Sequence, residues 1–288
     1  MMMLKIVVGM AVALGLLSCA SPGISRQERS GEPGSLPKDV LVFLKPAWYR
    51  HASLDSLAHW FQHFGWDNGF NVDTTDHPEI FNLDDLSRYD VVVFVSTTDL
   101  GKALSDDQKT ALMEWYRKGH AIVAMHAAAV HHHTWDWWAD LVGCDFNSDS
   151  VRSRARVVFD PAASDHPAVR GQGPERWIEE EWLCYDRSVT GLPGVKVLMR
   201  LDESSYEPVR KKFDTLGGKP MGSDHPAAWC REFQGGRFFY TALGHDTRAI
   251  GSEFGREHLL GGLRWVSMKE KPKDTNAKSA PMTADSLR

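Results

Sequence analysis

Cysteine is scarce in this sequence. The 288-residue chain contains four cysteines, Cys19, Cys144, Cys184 and Cys230, and none of them belongs to a CxxC pair. This spacing excludes a zinc ribbon and a thioredoxin-type dithiol site. Export from the cell would allow one disulfide among Cys144, Cys184 and Cys230. The spacing alone leaves open which two of the three would pair.

A concentration of positive charge is also lacking. The chain has 33 Lys and Arg against 38 Asp and Glu, for a formal net charge of -5. The basic residues are dispersed and form no stripe with interleaved aromatic side chains. Because nucleic-acid-binding surfaces need such a stripe, we expect no nucleic-acid partner.

The N-terminal apolar run is too short for a permanent membrane span. Residues 6–17 are apolar and follow Lys5, whereas a spanning helix needs about 20 apolar residues. The run predicts a secretory signal peptide over residues 1–18. Its ending, Leu-Leu-Ser before Cys19, resembles a bacterial lipobox and implies cleavage before a lipidated Cys19. The alternative is ordinary cleavage near Ala20, which would discard Cys19.

The two ends of the chain differ in composition from its body. Residues 19–38 are rich in Ser, Gly, Pro and charge, and residues 269–288 show no apolar periodicity. Such segments bury too little apolar surface to offset the entropy of ordering. We predict a lipidated flexible tether over 19–38, one domain over 39–268 and a disordered tail over 269–288. The expected location is therefore the periplasm or cell surface, with membrane contact through the lipid only.

Buried strands alternate with helices in the first half of the body. Residues 40–44, 91–95 and 121–125 are continuous apolar runs, as in parallel strands that are covered on both faces. Helical periodicity follows Ser53, and Ser105 with Gln108 forms a capping box. Gly119 ends that second helix. This alternation predicts a doubly wound, mostly parallel α/β sheet with helices on both faces.

The second half of the body is less regular. Residues 156–159, 195–201 and 237–241 are predicted strands, and residues 259–265 are part of a predicted closing helix. Neither a repeat nor a second-domain boundary is visible.

Polar residues follow the predicted strands where ligands bind in open parallel sheets, at the carboxyl ends. Trp48 and His51 follow the first strand, Asp99 follows the next and His126 the third. His126 occupies the position at which hydrolases and amidotransferases carry a Ser or Cys nucleophile. An imidazole there can act as a general base or metal ligand, but it does not support acyl-enzyme chemistry. The structural alternative is a histidine that only holds the loop.

Two further features bear on ligands. The run His131-His132-His133 suggests a metal cluster, but consecutive side chains point in different directions and rarely share one ion. The chain also has 11 tryptophans. Their rings pack cores and stack equally well on sugar rings, and Trp48, Trp182 and Trp229 are the candidates for stacking.

Several segments together and in order resemble the trehalose-utilisation (ThuA-like) family. The most specific is Gly-Arg-Phe-Phe-Tyr-Thr-Ala-Leu-Gly-His-Asp at residues 236–246. The others lie at residues 49–53, 86–93, 119–128, 141–146, 165–167, 180–182, 201–206, 224–229 and 258–265. The resemblance covers almost the whole body. It implies a flavodoxin-like, class I glutamine amidotransferase-like core without that superfamily's catalytic Cys.

The resemblance also implies carbohydrate use, with a disaccharide or 3-keto-glycoside as substrate. On this basis an enzyme using His and carboxylate acid-base chemistry is expected, rather than a Cys or Ser amidotransferase. The expected catalytic residues are His126, Glu181 and His245. A divalent metal ion is conceivable as a cofactor, with His126 and His225 as its ligands. The expected substrate-binding residues are His51, Trp48, Asp99, Trp182, His225 and Asp246.

The chain departs from the family pattern in places. Gly119-His120 stands where Gly-Gly is common, and Glu180-Glu181 where Asp-Glu is common. A histidine often found near Asn147 or Ser148 is replaced, which puts any metal centre that needs it in doubt. A non-catalytic sugar-binding surface lipoprotein is the alternative. In that case His225 and His245 would only shape turns, and Glu181 would belong to a solvated acidic run.

Overall fold

The computed structural model describes residues 34–268. The predicted signal peptide at 1–18, the lipidation site Cys19, most of the predicted tether at 19–38 and the tail at 269–288 lie outside the described residues. Across residues 34–268, no helix is both long and apolar enough to cross a membrane.

The domain starts slightly before the predicted boundary at residue 39. Leu36 packs against the core, and the backbone N–H of Lys38 donates to Asp90 Oδ2 at 2.7 Å. The last residues of the predicted tether are therefore part of the folded unit.

A nine-stranded sheet forms the centre of the fold, and a small two-stranded sheet lies beside it. The strands are β1 (Asp39–Phe43), β2 (Asn71–Thr75), β3 (Val91–Val95), β4 (Ala121–Met125), β5 (Phe146–Asp149), β6 (Ser153–Phe159), β7 (Glu175–Glu180), β8 (Leu183–Tyr185), β9 (Val195–Asp202), β10 (Pro226–Phe233) and β11 (Gly236–Thr241).

The order of the main sheet is β2-β1-β3-β4-β11-β10-β9-β6-β7. The strands from β2 to β11 pair in parallel, and from β11 to β7 each strand pairs antiparallel with the next. Strands β5 and β8 form the small sheet. The prediction of a flavodoxin-like, doubly wound core is confirmed, and the core carries an antiparallel extension that the sequence did not predict.

Helices cover both faces of the parallel half. They are α1 (Leu54–Asn68), α2 (Leu83–Leu86), α3 (Leu100–Ala103), α4 (Asp106–Arg117), α5 (Asp136–Val142), α6 (Thr247–Gly251) and α7 (Glu253–Val266). Residues on the two faces of β11 pack against different helices. A side chain at Gly236 would collide with Tyr116 of α4, and one at Gly262 of α7 would collide with Phe239. Since Gly236 and Phe239 point to opposite faces of β11, α4 and α7 lie on opposite faces of the sheet.

Of the two helix starts predicted from the sequence, one has the expected capping hydrogen bonds and the other does not. The capping box of α4 is present, with Ser105 accepting from the Gln108 N–H and Gln108 accepting from the Ser105 N–H. Ser53 precedes α1 but makes no side-chain cap. Its hydroxyl instead donates to the backbone carbonyl of His245, 192 positions away. Ser53 thus joins the loop after β1 to the loop after β11.

The three cysteines of the domain are unpaired. Cys144, Cys184 and Cys230 are all buried and free. The disulfide that export would allow is therefore not formed in the described residues.

The antiparallel extension curls back toward the parallel half. Three strands separate β7 from β11 in the sheet order, which at the usual spacing would be about 19 Å in a flat sheet. Yet Glu180, the last residue of β7, accepts a hydrogen bond from the backbone N–H of Gly244, just beyond β11, at 3.1 Å. The curl brings the end of β7 to the carboxyl ends of the parallel strands.

Candidate functional site

Three histidines and one glutamate meet at the carboxyl edge of the parallel strands. The three histidines follow β1, β4 and β11, and the glutamate follows β7. One potential ligand atom from each residue lies within 4.8 Å of the others. We call this group the histidine cluster; its members are His51, His126, Glu181 and His245. Sequence reasoning named all four, and the structure brings them together.

The three imidazole rings form a nearly equilateral triangle. The ring centroids of His51 and His126 are 5.2 Å apart, those of His51 and His245 5.3 Å, and those of His126 and His245 5.2 Å. Glu181 borders this triangle, with Oε1 3.8 Å from His126 Nε2 and Oε2 3.8 Å from His245 Nε2.

His126 directly follows β4 and is the first residue of a short 3-10 helix, where the chain turns sharply. Its φ is 48°, a left-handed conformation that residues other than glycine rarely adopt. This is the elbow geometry expected from its position after the buried strand. Its Nδ1 lies 3.3 Å from the Ala242 carbonyl. Since a carbonyl only accepts, Nδ1 carries the hydrogen and Nε2 offers its lone pair to the cluster.

Burial keeps the three imidazoles of the cluster neutral. Burial, reinforced by the nearby His245, lowers the pKa of His51 to about 4. Burial and the neighbouring His51 lower the pKa of His126 well below its usual value. Burial also lowers the pKa of His245, although Glu181 opposes that shift. At neutral pH each ring therefore offers one nitrogen lone pair.

An arginine orients the carboxylate of the cluster. Arg210 Nη2 donates to Glu181 Oε2 at 2.7 Å and lies 2.6 Å from Asp149 Oδ1. Burial and the nearby Glu181 raise the pKa of Asp149 to about 6. Arg210 thus compensates two adjacent carboxylates and leaves Glu181 Oε1 facing His126.

The sequence of residues 39–266 matches the family model described as trehalose utilisation, ThuA. The chain belongs to the ThuA family. No curated protein matches the sequence.

Solved structures agree with this family assignment. A ThuA-like protein from Bacteroides uniformis superposes with a TM-score of 0.67 at 19% identity, covering 84% of this chain and 96% of that one. A ThuA-like protein from Parabacteroides merdae gives 0.59 at 18% identity, covering 83% and 94%. A cytoplasmic protein from Salmonella typhimurium gives 0.53 at 11% identity, covering 81% and 100%. At these identities the likenesses establish the fold, which is of the class I glutamine amidotransferase type.

Several residues that sequence reasoning proposed for this ThuA-family site lie elsewhere. Trp182 is fully buried, and its Nε1 donates to the Ser153 carbonyl at 3.0 Å. Trp229 is also fully buried and stacks on Tyr240. Neither ring is open to a sugar, so both are removed from the stacking candidates.

Asp99 and His225 are also buried away from solvent. Asp99 accepts from Thr134 Oγ1 at 2.5 Å and from Lys102 Nζ at 2.7 Å. It therefore ties the loop after β3 to the loop after β4. His225 belongs to a different group of side chains and does not join His126, so these two do not share a metal ion in this geometry.

Trp48 does lie on the surface, and sequence reasoning missed its neighbour. Trp48 is 61% exposed and Tyr49 is 57% exposed. The Tyr49 ring packs edge-on against His51, with ring centroids 4.9 Å apart. The backbone N–H of Tyr49 donates to Thr98 Oγ1 at 2.9 Å, which fixes this loop. Tyr49 therefore borders the histidine cluster of the ThuA domain, whereas the Trp48 ring packs edge-on against His132, with ring centroids 4.8 Å apart.

Two charged groups behind the cluster were not identified as site residues from the sequence. Arg152 bonds to Asp246 and lies 3.1 Å from His245 Nδ1. Glu180 is fully buried, and burial raises its pKa to about 7. The charged residue before β6 and the acid at the end of β7 gave no positional signal, because only the curl of the sheet brings them to this edge.

A surface cavity lies beside Arg152. Arg152 and Arg248, both bonded to Asp246, help to line a cavity of about 440 Å³. The exposed ring of Trp177 lines the same cavity. The four members of the histidine cluster are not among the residues that line the cavity, so Arg152 separates the cavity from His245.

Proposed function

We propose that this ThuA-family protein is a carbohydrate-directed enzyme that acts at the histidine cluster on a disaccharide or 3-keto-glycoside. The observation that supports the proposal is the convergence of three neutral imidazoles and one carboxylate at the carboxyl edge of the parallel strands. This is where open α/β sheets bind ligands. The elbow carries His126 rather than Ser or Cys, which favours proton transfer over acyl transfer.

The burial of each side chain assigns its role. His126 is fully buried and His51 is 6% exposed, so neither reaches a substrate proton directly. The side chains of Glu181 and His245 are 16% and 28% exposed. His245 Nδ1 accepts from Arg152, so its Nε2 carries the hydrogen and does not accept a proton. We therefore assign proton transfer to Glu181, and this assignment replaces the sequence-based choice of His126 as the base.

A 3-keto-glycoside fits a single carboxylate acting in two steps. The ketone acidifies the C2 proton, Glu181 removes that proton, and the electron pair forms an enolate. The enolate then expels the glycosidic oxygen from C1, and the proton held by Glu181 is returned to that oxygen. The products are an enone and a free alcohol. Such a reaction also needs a group that stabilises the enolate charge.

Two features support a sugar as the ligand. The family description is trehalose utilisation. The exposed rings of Trp48 and Tyr49 offer apolar faces beside polar groups, and sugars present both kinds of surface. From the Leu-Leu-Ser motif before Cys19 we also propose that the protein works outside the cytoplasm and is anchored to a membrane by a lipid.

The test is incubation of the chain with a panel of disaccharides and their 3-keto forms, with products measured by mass. We expect conversion of the keto forms with loss of the glycosidic bond. No conversion of any member by a folded protein that binds a sugar saturably would overturn the enzymatic proposal.

That outcome would support the second candidate, a non-catalytic sugar-binding lipoprotein. The observation that favours this candidate is the exposure of Trp48 and Tyr49, together with the packing of the Tyr49 ring on His51, which is itself buried. In such a protein the aromatic rings would bind the sugar, and the histidines would hold the loops.

A further inference from the structure

We propose that the histidine cluster is a divalent metal centre, in which the imidazoles of His51, His126 and His245 bind one ion and the carboxylate of Glu181 stays unbound beside it as the base. The proposal deepens the proposed function, because a bound cation would polarise the ketone and stabilise the enolate. Hydrogen bonding and ring geometry support the metal centre, and its test measures metal binding rather than turnover.

Unsatisfied nitrogens are the first observation. Among the described residues, His51 Nδ1 and His126 Nε2 are buried atoms without a hydrogen-bond partner. Buried polar side-chain atoms are nearly always paired, so two orphans in adjacent rings point to a missing partner.

The spacing of the rings is the second observation. Metal–nitrogen bonds of about 2 Å, with roughly 1 Å more to each ring centre, put three rings about 5 Å apart in a tetrahedral site. The observed ring separations are 5.2, 5.3 and 5.2 Å. The triangle therefore already has the size that one ion requires.

Outer contacts orient two members of the histidine cluster. The Ala242 carbonyl fixes the hydrogen of His126 on Nδ1, which is the usual arrangement behind a metal-bound histidine. Arg210 binds Glu181 through Oε2, so Oε1 remains directed toward His126. In both side chains the supporting contact uses one polar atom and leaves the other, His126 Nε2 or Glu181 Oε1, facing the cluster.

His245 needs a small adjustment. Arg152 Nη2 lies 3.1 Å from His245 Nδ1, and since an arginine only donates, this nitrogen accepts. Binding an ion through Nε2 places the hydrogen on Nδ1. Asp246 Oδ2, 3.8 Å from Nδ1, is the acceptor that a small rotation of the ring would reach. Asp246 is thereby a positioning residue for the third imidazole.

Two other groups of metal-ligating residues in the described chain provide a contrast. In the group with Glu203, His225 uses Nδ1 for Glu203 Oε1 at 2.8 Å and Nε2 for the Leu183 carbonyl at 2.9 Å. In the group with Asp145, His131 uses Nε2 for the Cys144 carbonyl and Nδ1 for the His133 N–H. Both nitrogens of each buried histidine are occupied, so these groups are structural.

The donor set indicates the class of ion. Imidazoles suit Zn²⁺, Fe²⁺, Co²⁺ and similar transition metals, whereas Mg²⁺ and Ca²⁺ prefer oxygen ligands. Three imidazole nitrogens therefore predict selectivity for the transition metals, and the fourth coordination position would be open to a substrate oxygen.

The test is a metal titration of the full chain after treatment with a chelator. Zn²⁺ binding is measured by calorimetry, and Co²⁺ binding by visible absorption, which reports the coordination geometry. We expect one ion per chain and no comparable binding of Mg²⁺. His126→Gln is expected to weaken binding by more than about 100-fold, beyond the 10- to 100-fold typical of an outer-shell change. Asp246→Asn should fall within that smaller range.

His133→Gln is the matched control, because it removes an exposed imidazole from another group and should keep full affinity. If His126→Gln fails to fold, His245→Gln at the half-buried edge carries the same expectation. Absence of stoichiometric binding in the wild-type chain, or loss of binding in His133→Gln with retention in His126→Gln, overturns the proposal. Tight binding without any sugar turnover would overturn the proposed function and leave the metal centre in place.

Discussion

The carboxylate of Glu180 accepts a hydrogen bond from the backbone N–H of Gly244, with Oε2 and the nitrogen 3.1 Å apart. Its other oxygen accepts from the N–H of Glu181 at 2.9 Å. One buried side chain therefore fixes the backbone just before His245 and at Glu181. Glu180 is not a member of the histidine cluster. Its two hydrogen bonds set the distance between Glu181 and His245, which are members.

Replacing Glu180 by Gln should change the pH dependence of stability. The pKa of Glu180 is raised from 4.5 to about 7 in the fold, so the carboxyl favours the folded state most at low pH. This contribution is full below about pH 4.5 and is lost as the pH rises through about 7. The free energy of unfolding of the wild type should therefore fall relative to Glu180→Gln by up to about 3 kcal/mol over that range. Urea unfolding at several pH values measures it. Parallel pH profiles would contradict the expectation.

Burial of His258 should have the opposite pH dependence. The pKa of His258 is lowered from 6.5 to about 4 by burial, so the neutral ring is the folded form. Its contribution to stability is full above about pH 6.5 and is lost as the pH falls toward 4. His258→Gln should flatten the decline in the free energy of unfolding by up to about 3 kcal/mol. His77→Gln, at an exposed histidine, is the control and should leave the slope unchanged.

Glu181→Gln should abolish proton transfer while preserving the fold. The amide keeps the size of the side chain but cannot accept a proton, and general-base catalysis contributes about 100- to 10,000-fold. We expect turnover of a 3-keto-disaccharide to fall by at least about 100-fold, with little change in sugar affinity. Glu179→Gln, at the exposed neighbour in β7, is the matched variant. Wild-type turnover in Glu181→Gln would remove Glu181 from the mechanism.

Trp48→Ala should weaken sugar binding. The ring is 61% exposed on the loop that carries His51, and loss of a stacking aromatic costs about 1 kcal/mol or more. We expect the dissociation constant for the sugar to rise roughly tenfold, as measured by calorimetry. Trp66, which is 86% exposed on α1, gives the comparison, since Trp66→Ala should bind as the wild type does. Equal effects in the two variants would argue against a binding role for Trp48.

Cys19→Ala tests the proposed lipid anchor. If Cys19 carries the lipid, the variant should lose incorporation of labelled palmitate and move from the membrane to the soluble fraction. Ordinary cleavage near Ala20 would instead leave the wild type itself unlabelled and soluble. Labelling and fractionation of both proteins in a bacterial host distinguish the two cases.

Much of the parallel half could be predicted from sequence because its strands are apolar throughout. Val91–Val95 and Ala121–Met125 are buried at every position. Strand β2 and strand β7 escaped prediction because they lie at the edges of the sheet, where polar residues are tolerated. Their sequences, Asn-Val-Asp-Thr-Thr and Glu-Arg-Trp-Ile-Glu-Glu, show little of the apolar pattern on which strand prediction depends.

The candidate site, like the fold, was only partly predictable from the sequence. His51 and His126 follow predicted parallel strands, so their meeting follows from topology. The place of Glu181 depends on the curl of the antiparallel half, which no local pattern reveals, and it was identified only through the family resemblance. The tryptophans show a further limit, because Trp48 and Trp182 have the same ring and only the packing around each makes one exposed and the other buried.

The curl of the sheet also bears on how the protein folds. His51 and His245 are far apart in sequence, and Glu181 arrives only when the last strand of the extension has docked. Contacts of such long sequence separation form late, since the entropy of closing long loops must be overcome first. The parallel half on its own would therefore lack a working centre. Assembly of the histidine cluster should coincide with completion of the native fold, and an ion or a sugar bound there would report on the folding of the whole domain.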